Sequence, residues 1–123
     1  MSKQVLDVGN CVPDHTAIKH FFTSNFDCEV SQTHGPEDTV ALLKKQPFDL
    51  VVINRKLDHD YTDGTDTLKA IKADPAIANV PVMIITNYEE HQDAAVKLGA
   101  ERGFGKLEYD KPETLEKLQP ILG

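Results

Sequence analysis

Short apolar runs recur along the chain at 4–8, 29–33, 49–53 and 82–86, with a weaker one at 103–106. Between them, at about 14–25, 36–45, 65–73, 89–98 and 112–122, apolar residues fall at helical spacing. Strand-length runs alternating with helix-length segments predict a parallel sheet covered by helices on both faces. Several boundaries carry chemical signals. Pro36 follows Gly35 and precedes Glu37 and Asp38, which suits a first helical turn where no amide is needed and acids meet the positive dipole end. Asp74-Pro75 stops the third helix, Gly99 offers a stop for the fourth, and Pro120 is expected to shorten the last. Ile18, Phe21 and Phe22 form the inward stripe of the first helix, and Leu115, Leu118 and Leu122 that of the last.

Five such βα units imply an α/β chain of the flavodoxin-like type, a (βα)5 three-layer sandwich with strand order 2-1-3-4-5. The length of 123 residues suits one domain with its own core, so a single unit over 1–123 without an output domain is expected. Composition narrows the setting. Thirteen Lys and Arg against twenty Asp and Glu give a net charge of −7 without a basic stripe, which argues against nucleic-acid binding. Met1-Ser2-Lys3-Gln4 leads straight into a short apolar run, and no run approaches membrane-spanning length, so a soluble cytoplasmic protein with no membrane contact is expected. Cys11 falls after the first strand and Cys28 at the start of the second, roughly 15 Å apart in a parallel pair and beyond disulfide reach.

In this fold a ligand site lies outside the C-terminal strand ends. That rule selects Gly9, Asn10 and Cys11, then Asn54 and Arg55, then Thr86 and Asn87, and finally Lys106. The run 48–54, the pair Asp63-Gly64, the strand 82–86 and the isolated Lys106 resemble the receiver domain of bacterial response regulators, over essentially the whole chain. The resemblance implies a phosphotransfer pocket: two acids after the first strand and one after the third hold magnesium, and the last accepts the phosphoryl group. Here Gly9 and Asn10 stand in the acidic pair's place and Asn54 in the acceptor's. Amides supply dipoles without net charge, so no useful magnesium affinity is expected, no cofactor, and no aspartyl phosphate. Restoring carboxylates at 9, 10 and 54 together is expected to rebuild the site better than Asn54→Asp alone.

Thr86 and Lys106 match the family's pocket hydroxyl and lysine, and Arg55 adds a cation to a remnant pocket or anion site. Lys106 or Arg55 is expected to bond to neutral oxygens of Asn10, Asn54 or nearby carbonyls. The family's switch aromatic aligns with Gly103, and Phe104, one residue on, should face the other way.

Asp58, Asp60 and Asp63 lack the register of a calcium loop and read as a solvated acidic loop. Asp7 sits in a strand covered on both faces, so it requires a buried partner. The five histidines show no metal spacing and read as surface residues. The expected function is a stand-alone, non-enzymatic receiver-like protein of two-component (phosphorelay) signalling that acts by protein–protein interaction. Its partner would be a histidine kinase or another signalling protein, met through an acidic face including Glu89, Gln92, Asp93, Phe104, Glu108 and Glu113. The alternatives are a receiver phosphorylated on a displaced Asp58, Asp60 or Asp63, a phosphate binder, or a thiol-based sensor using Cys11. Oligomeric state is left open.

Overall fold

The computed structural model describes residues 2–123. Its elements are β1 (Lys3–Val8), α1 (Val12–Asn25), β2 (Cys28–Thr33), α2 (Pro36–Lys45), β3 (Leu50–Asn54), α3 (Gly64–Ala73), β4 (Val82–Ile85), α4 (Glu89–Lys97), a 3-10 turn (Lys106–Glu108) and α5 (Pro112–Leu122). The strands form one parallel sheet in the order β2-β1-β3-β4. Register pairs Val8 with Thr33 on one side and with Ile53 on the other, so the three strand ends lie level beside the predicted site.

Strand alternation splits the core. Val5, Leu50, Val52, Met83 and Ile85 face α1 and α5, where Ile18, Phe22, Phe104 and Leu118 are buried. Leu6, Val8, Val51, Ile53 and Ile84 face the opposite layer, packing on Leu43, Leu68, Ile71 and Ala95 of α2, α3 and α4. Each fully buried side chain of this size contributes about 1.5–3 kcal/mol, which sets the layers firmly. Helix α1 begins at Val12, earlier than expected, with Pro13 in its first turn where a missing amide costs nothing. Helix α5 covers the expected span to Leu122, and Pro120 does not shorten it because the proline lies in the exposed final turn.

The expected fifth strand forms only in part. Residues 101–105 lie beside β4, where Glu101 N donates to Val82 O at 2.8 Å and Thr86 N donates to Phe104 O at 3.1 Å. A regular ladder begun by the first bond would continue with Gly103 N to Ile84 O and Thr86 N to Gly103 O. The two observed bonds are therefore one residue out of step, which marks a bulge at Arg102 and Gly103.

Candidate functional site

The site begins with the loop after β1. Gly9 has φ +79°, and a Cβ there would lie 2.3 Å from Leu57 Cδ2. Leu57 is fully buried, and Asp58 N donates to Gly9 O at 2.8 Å, so the segment after β3 folds down onto Gly9. Only glycine meets both demands at once. Asn10 is 2% exposed; its Nδ2 donates to Asp7 Oδ1 at 2.5 Å, while its Oδ1 is buried without a partner. Gln32 Nε2 donates to Asn10 O at 2.9 Å and fixes the loop from β2.

Asp7 is fully buried, and its second oxygen lies 2.7 Å from His15 Nδ1 on α1. His15 and Asn10 are thus the partners its position demanded. Burial raises the Asp7 carboxyl above the ordinary range, with the bonds to His15 and Asn10 and the charge of Lys106 pulling it back.

Asn54 closes β3 and turns its amide onto backbone. Its Nδ2 donates to Lys56 O at 2.7 Å and to Gly9 O at 3.4 Å. A carboxylate there would face two carbonyl oxygens with nothing to donate. The Asp63-Gly64 pair has its own steric reason: a Cβ on Gly64 would lie 2.2 Å from Asn54 O, and Gly64 N donates to Arg55 O at 2.6 Å. Asp63 caps α3, accepting from Thr65 N at 2.9 Å, and Asp60 accepts from Thr62 N and Oγ1 at 3.1 and 2.7 Å. These two acids shape their own loop.

Lys106 does not contact Asn10 or Asn54. Its Nζ donates to Asp14 Oδ2 at 2.7 Å, which corrects the expectation that neutral oxygens would hold it. Asp14 lies in the first turn of α1, close enough for a full ion pair, and a carboxylate outcompetes an amide oxygen for an ammonium. The pair holds the Asp14 carboxyl below its usual range. Among the described residues the Arg55 backbone bonds to Ile85 and Gly64, while its guanidinium forms no hydrogen bond or ion pair. Thr86, 8% exposed, accepts from Tyr88 N at 3.3 Å in the turn that precedes α4. Together Asn54, Arg55, Lys56, Thr86, Asn87, Tyr88 and Lys106 line a cleft of about 200 Å³ into which no carboxylate opens.

Gly103 carries no side chain because a Cβ would lie 2.5 Å from Ile84 O. Phe104 is fully buried against Phe21, Phe22 and Tyr109, on the face alternation assigned to it. Burial, with Asp7 and Asp14 nearby, pushes the Tyr109 hydroxyl well above its usual pKa. Sequence reasoning missed Asp14 and read His15, which bonds to buried Asp7, as a surface residue. The signal was there, since Asp7 required a buried partner and His15 follows on the covering helix. Cys11 and Cys28 are both free thiols, Lys3 rather than Cys11 being level with Cys28.

A layered βα sandwich that gathers a lysine, a hydroxyl and the Asn54 amide at its strand ends has the layout of a receiver-type domain. The sequence pattern of the response regulator receiver domain matches residues 12–119, and the chain belongs to that family. The matched span starts just past Gly9 and Asn10. The fold is similar to that of Vibrio cholerae chemotaxis protein CheY4, with 20% identity and a TM-score of 0.77 over 99% of this chain and 100% of that one. A putative response regulator from Chloroflexus aurantiacus gives 15% identity and a TM-score of 0.83 over 98% of each chain. The receiver domain of a Francisella response regulator gives 20% and 0.78 over 98% of this chain and 96% of that one. At such identities the likeness is one of fold. No curated protein matches the chain.

Proposed function

We propose that this chain is a receiver-fold signalling protein that works without phosphorylation or catalysis and acts by binding another protein. The observation that carries the reading is the amide of Asn54, whose donors are committed to Lys56 O and Gly9 O where an acceptor carboxylate would stand. Magnesium has no fitting seat either: positions 9, 10 and 54 offer no anionic oxygen, and Asp7 is turned beneath Asn10 toward His15. Among the described residues no three His, Cys, Asp or Glu side chains converge as metal ligands. Asp60 and Asp63 are occupied in turns, so a displaced acceptor draws no support from their placement.

The partner face differs from the one expected. Gln92 and Phe104 are buried, Glu89 and Asp93 both hold Arg102, and Glu108 accepts from Gly105 N at 2.8 Å. Glu89 and Asp93 stay exposed while holding Arg102, and with Glu90, Glu113 and two large apolar side chains, Tyr88 at 62% and Leu107 at 77% exposure, they make up the outward surface of this side. A partner with an apolar anchor and a basic rim complements that surface. Among the described residues no helix is long and apolar enough to cross a membrane.

Acetyl phosphate with magnesium, followed by intact-mass measurement, tests the proposal. Neither the natural chain nor Asn54→Asp should gain a phosphoryl group. Efficient labelling of either one would refute it.

A further inference from the structure

The bulge beside β4 is filled by a side chain from another element. Gln92 of α4 is 4% exposed; its Oε1 accepts from Gly103 N at 2.8 Å, and its Nε2 donates to Ile84 O at 3.0 Å and Thr86 O at 3.2 Å. The side-chain amide thus sits between the two backbone groups that a regular ladder would have joined directly. On the other side Lys117 Nζ donates to Gly103 O at 3.1 Å, so both polar groups of Gly103 are satisfied by helix side chains. The out-of-step register also aims Arg102 at α4, where its guanidinium bonds to Asp93 Oδ1 at 2.8 Å and to Glu89.

We propose that Gln92 is a latch. It holds residues 101–105 in the bulged register and thereby docks α4, and the sheet edge has a second arrangement in which that segment zips onto β4 as a regular strand. Phe104 anchors both arrangements, because it is fully buried and its carbonyl already accepts from Thr86 N. Continuing the ladder backward from that bond gives Phe104 N to Ile84 O and Arg102 N to Val82 O. Glu101 then loses its bond to Val82, and Gln92 loses Gly103 and Ile84. Arg102 moves to the face of Met83, away from Glu89 and Asp93, since a slip of one residue exchanges faces. Every polar tie described here between α4 and residues 101–105 belongs to the bulged state alone, so strand register and helix docking form one two-state element. The residues that exchange faces, Glu101 and Arg102, are exposed, which keeps the core out of the transition. Gly103 makes the bulge possible by its close approach to Ile84 O, whereas a regular strand accepts any side chain there.

Through-hydrogen-bond NMR couplings and amide exchange on the full chain test this. In the natural protein the couplings Glu101 N to Val82 C′ and Thr86 N to Phe104 C′ should be present. Gln92→Met keeps the volume and removes the amide; Gly103→Ala excludes the bulge sterically. Both variants should lose the Glu101 coupling, keep the Thr86 one, gain Phe104 N to Ile84 C′, and exchange α4 amides at least tenfold faster. Gln92→Glu should show the natural pattern when protonated at acidic pH, having both a donor and an acceptor, and the released pattern when ionised. Retention of the Glu101 coupling in Gln92→Met and Gly103→Ala would overturn the proposal, as would a pattern in Gln92→Glu that ignores pH. Loss of folding in all three would overturn it too, because the released arrangement keeps the core and must fold.

Discussion

Asp7→Asn isolates the one buried carboxylate at the site. Asp7 is fully buried between Asn10 Nδ2 at 2.5 Å and His15 Nδ1 at 2.7 Å, and burial raises its pKa. A raised folded pKa means that the folded state holds the proton more tightly than the unfolded chain does. The group's contribution is therefore complete below the unfolded carboxylate pKa of about 4 and is lost as pH rises through the folded value. Asparagine keeps the shape and removes the charge. The substituted amide can accept from His15 and donate to Asn10 Oδ1, which has no partner in the natural chain, once the Asn10 amide turns over. The expected result is equal stability near pH 4 and a gain of about 1–2 kcal/mol for the variant at pH 8, the scale of a polar group's burial cost in mutational data. That corresponds to roughly 4 °C in Tm per kcal/mol for a domain of this size. Asp7→Ala, which strands Asn10 and leaves a hole, should instead lose about 2–4 kcal/mol. Urea denaturation of the three proteins from pH 4 to 8 measures all of this. If Asp7→Asn is less stable by more than about 1 kcal/mol at pH 8, attraction to His15 outweighs desolvation and the reasoning fails.

Gly9→Ala should destabilise by about 2–4 kcal/mol in urea melts, because φ +79° is strained for alanine and the added carbon meets Leu57; a loss under about 1 kcal/mol would show that the loop yields. Lys106→Met should return the Asp14 carboxyl toward its ordinary pKa in an NMR titration. That pair stabilises above the unfolded Asp pKa and fades as pH falls through the depressed folded one, and at this exposure its worth is about 0.5 kcal/mol or less. An unmoved Asp14 titration would mean the ion pair is absent in solution. Millimolar magnesium should leave Tm where monovalent salt of equal ionic strength leaves it, and a saturable rise specific to magnesium would reveal a site.

How much of this was legible in the sequence depends on the distance over which each cause acts. Strands β1, β3 and β4 read clearly because their apolar runs are local and nearly unbroken. The fifth read weakly for a physical reason: Gly103 and Gly105 lower its strand character, and its missing ladder bond is supplied by Gln92, a residue on another element. Strand alternation turned Phe104 away from Gly103, but placing it on an outward partner face was wrong: it is fully buried against Phe21, Phe22 and Tyr109, which only the docked helices reveal. Lys106 was misassigned because its partner Asp14 is 92 positions away in the chain, on a helix whose rotation the sequence does not fix. Asp7 announced that it needed a partner, and burial supplied the reason; naming His15 required the helix to be docked.

Gly9 illustrates the deeper limit, and it bears on whether three carboxylates could be placed in this site at all. From sequence, Gly9, Asn10 and Asn54 read as three absent carboxylates, and replacing all three looked better than replacing one. The structure attaches a cost to each of the three changes. A Gly9→Asp side chain would enter Leu57 at a left-handed φ, and Asn10→Asp would set a second carboxylate 2.5 Å from an oxygen of buried Asp7. Asn54→Asp loses two amide donor bonds at the mouth of the same loop. The three positions are coupled through Leu57, Asp7 and the Gly9 carbonyl, so their costs do not separate. Each of the three residues standing in a carboxylate's place has a packing or hydrogen-bonding role of its own, so the absence of carboxylates from the cleft is a property of the fold around it as much as of the three side chains.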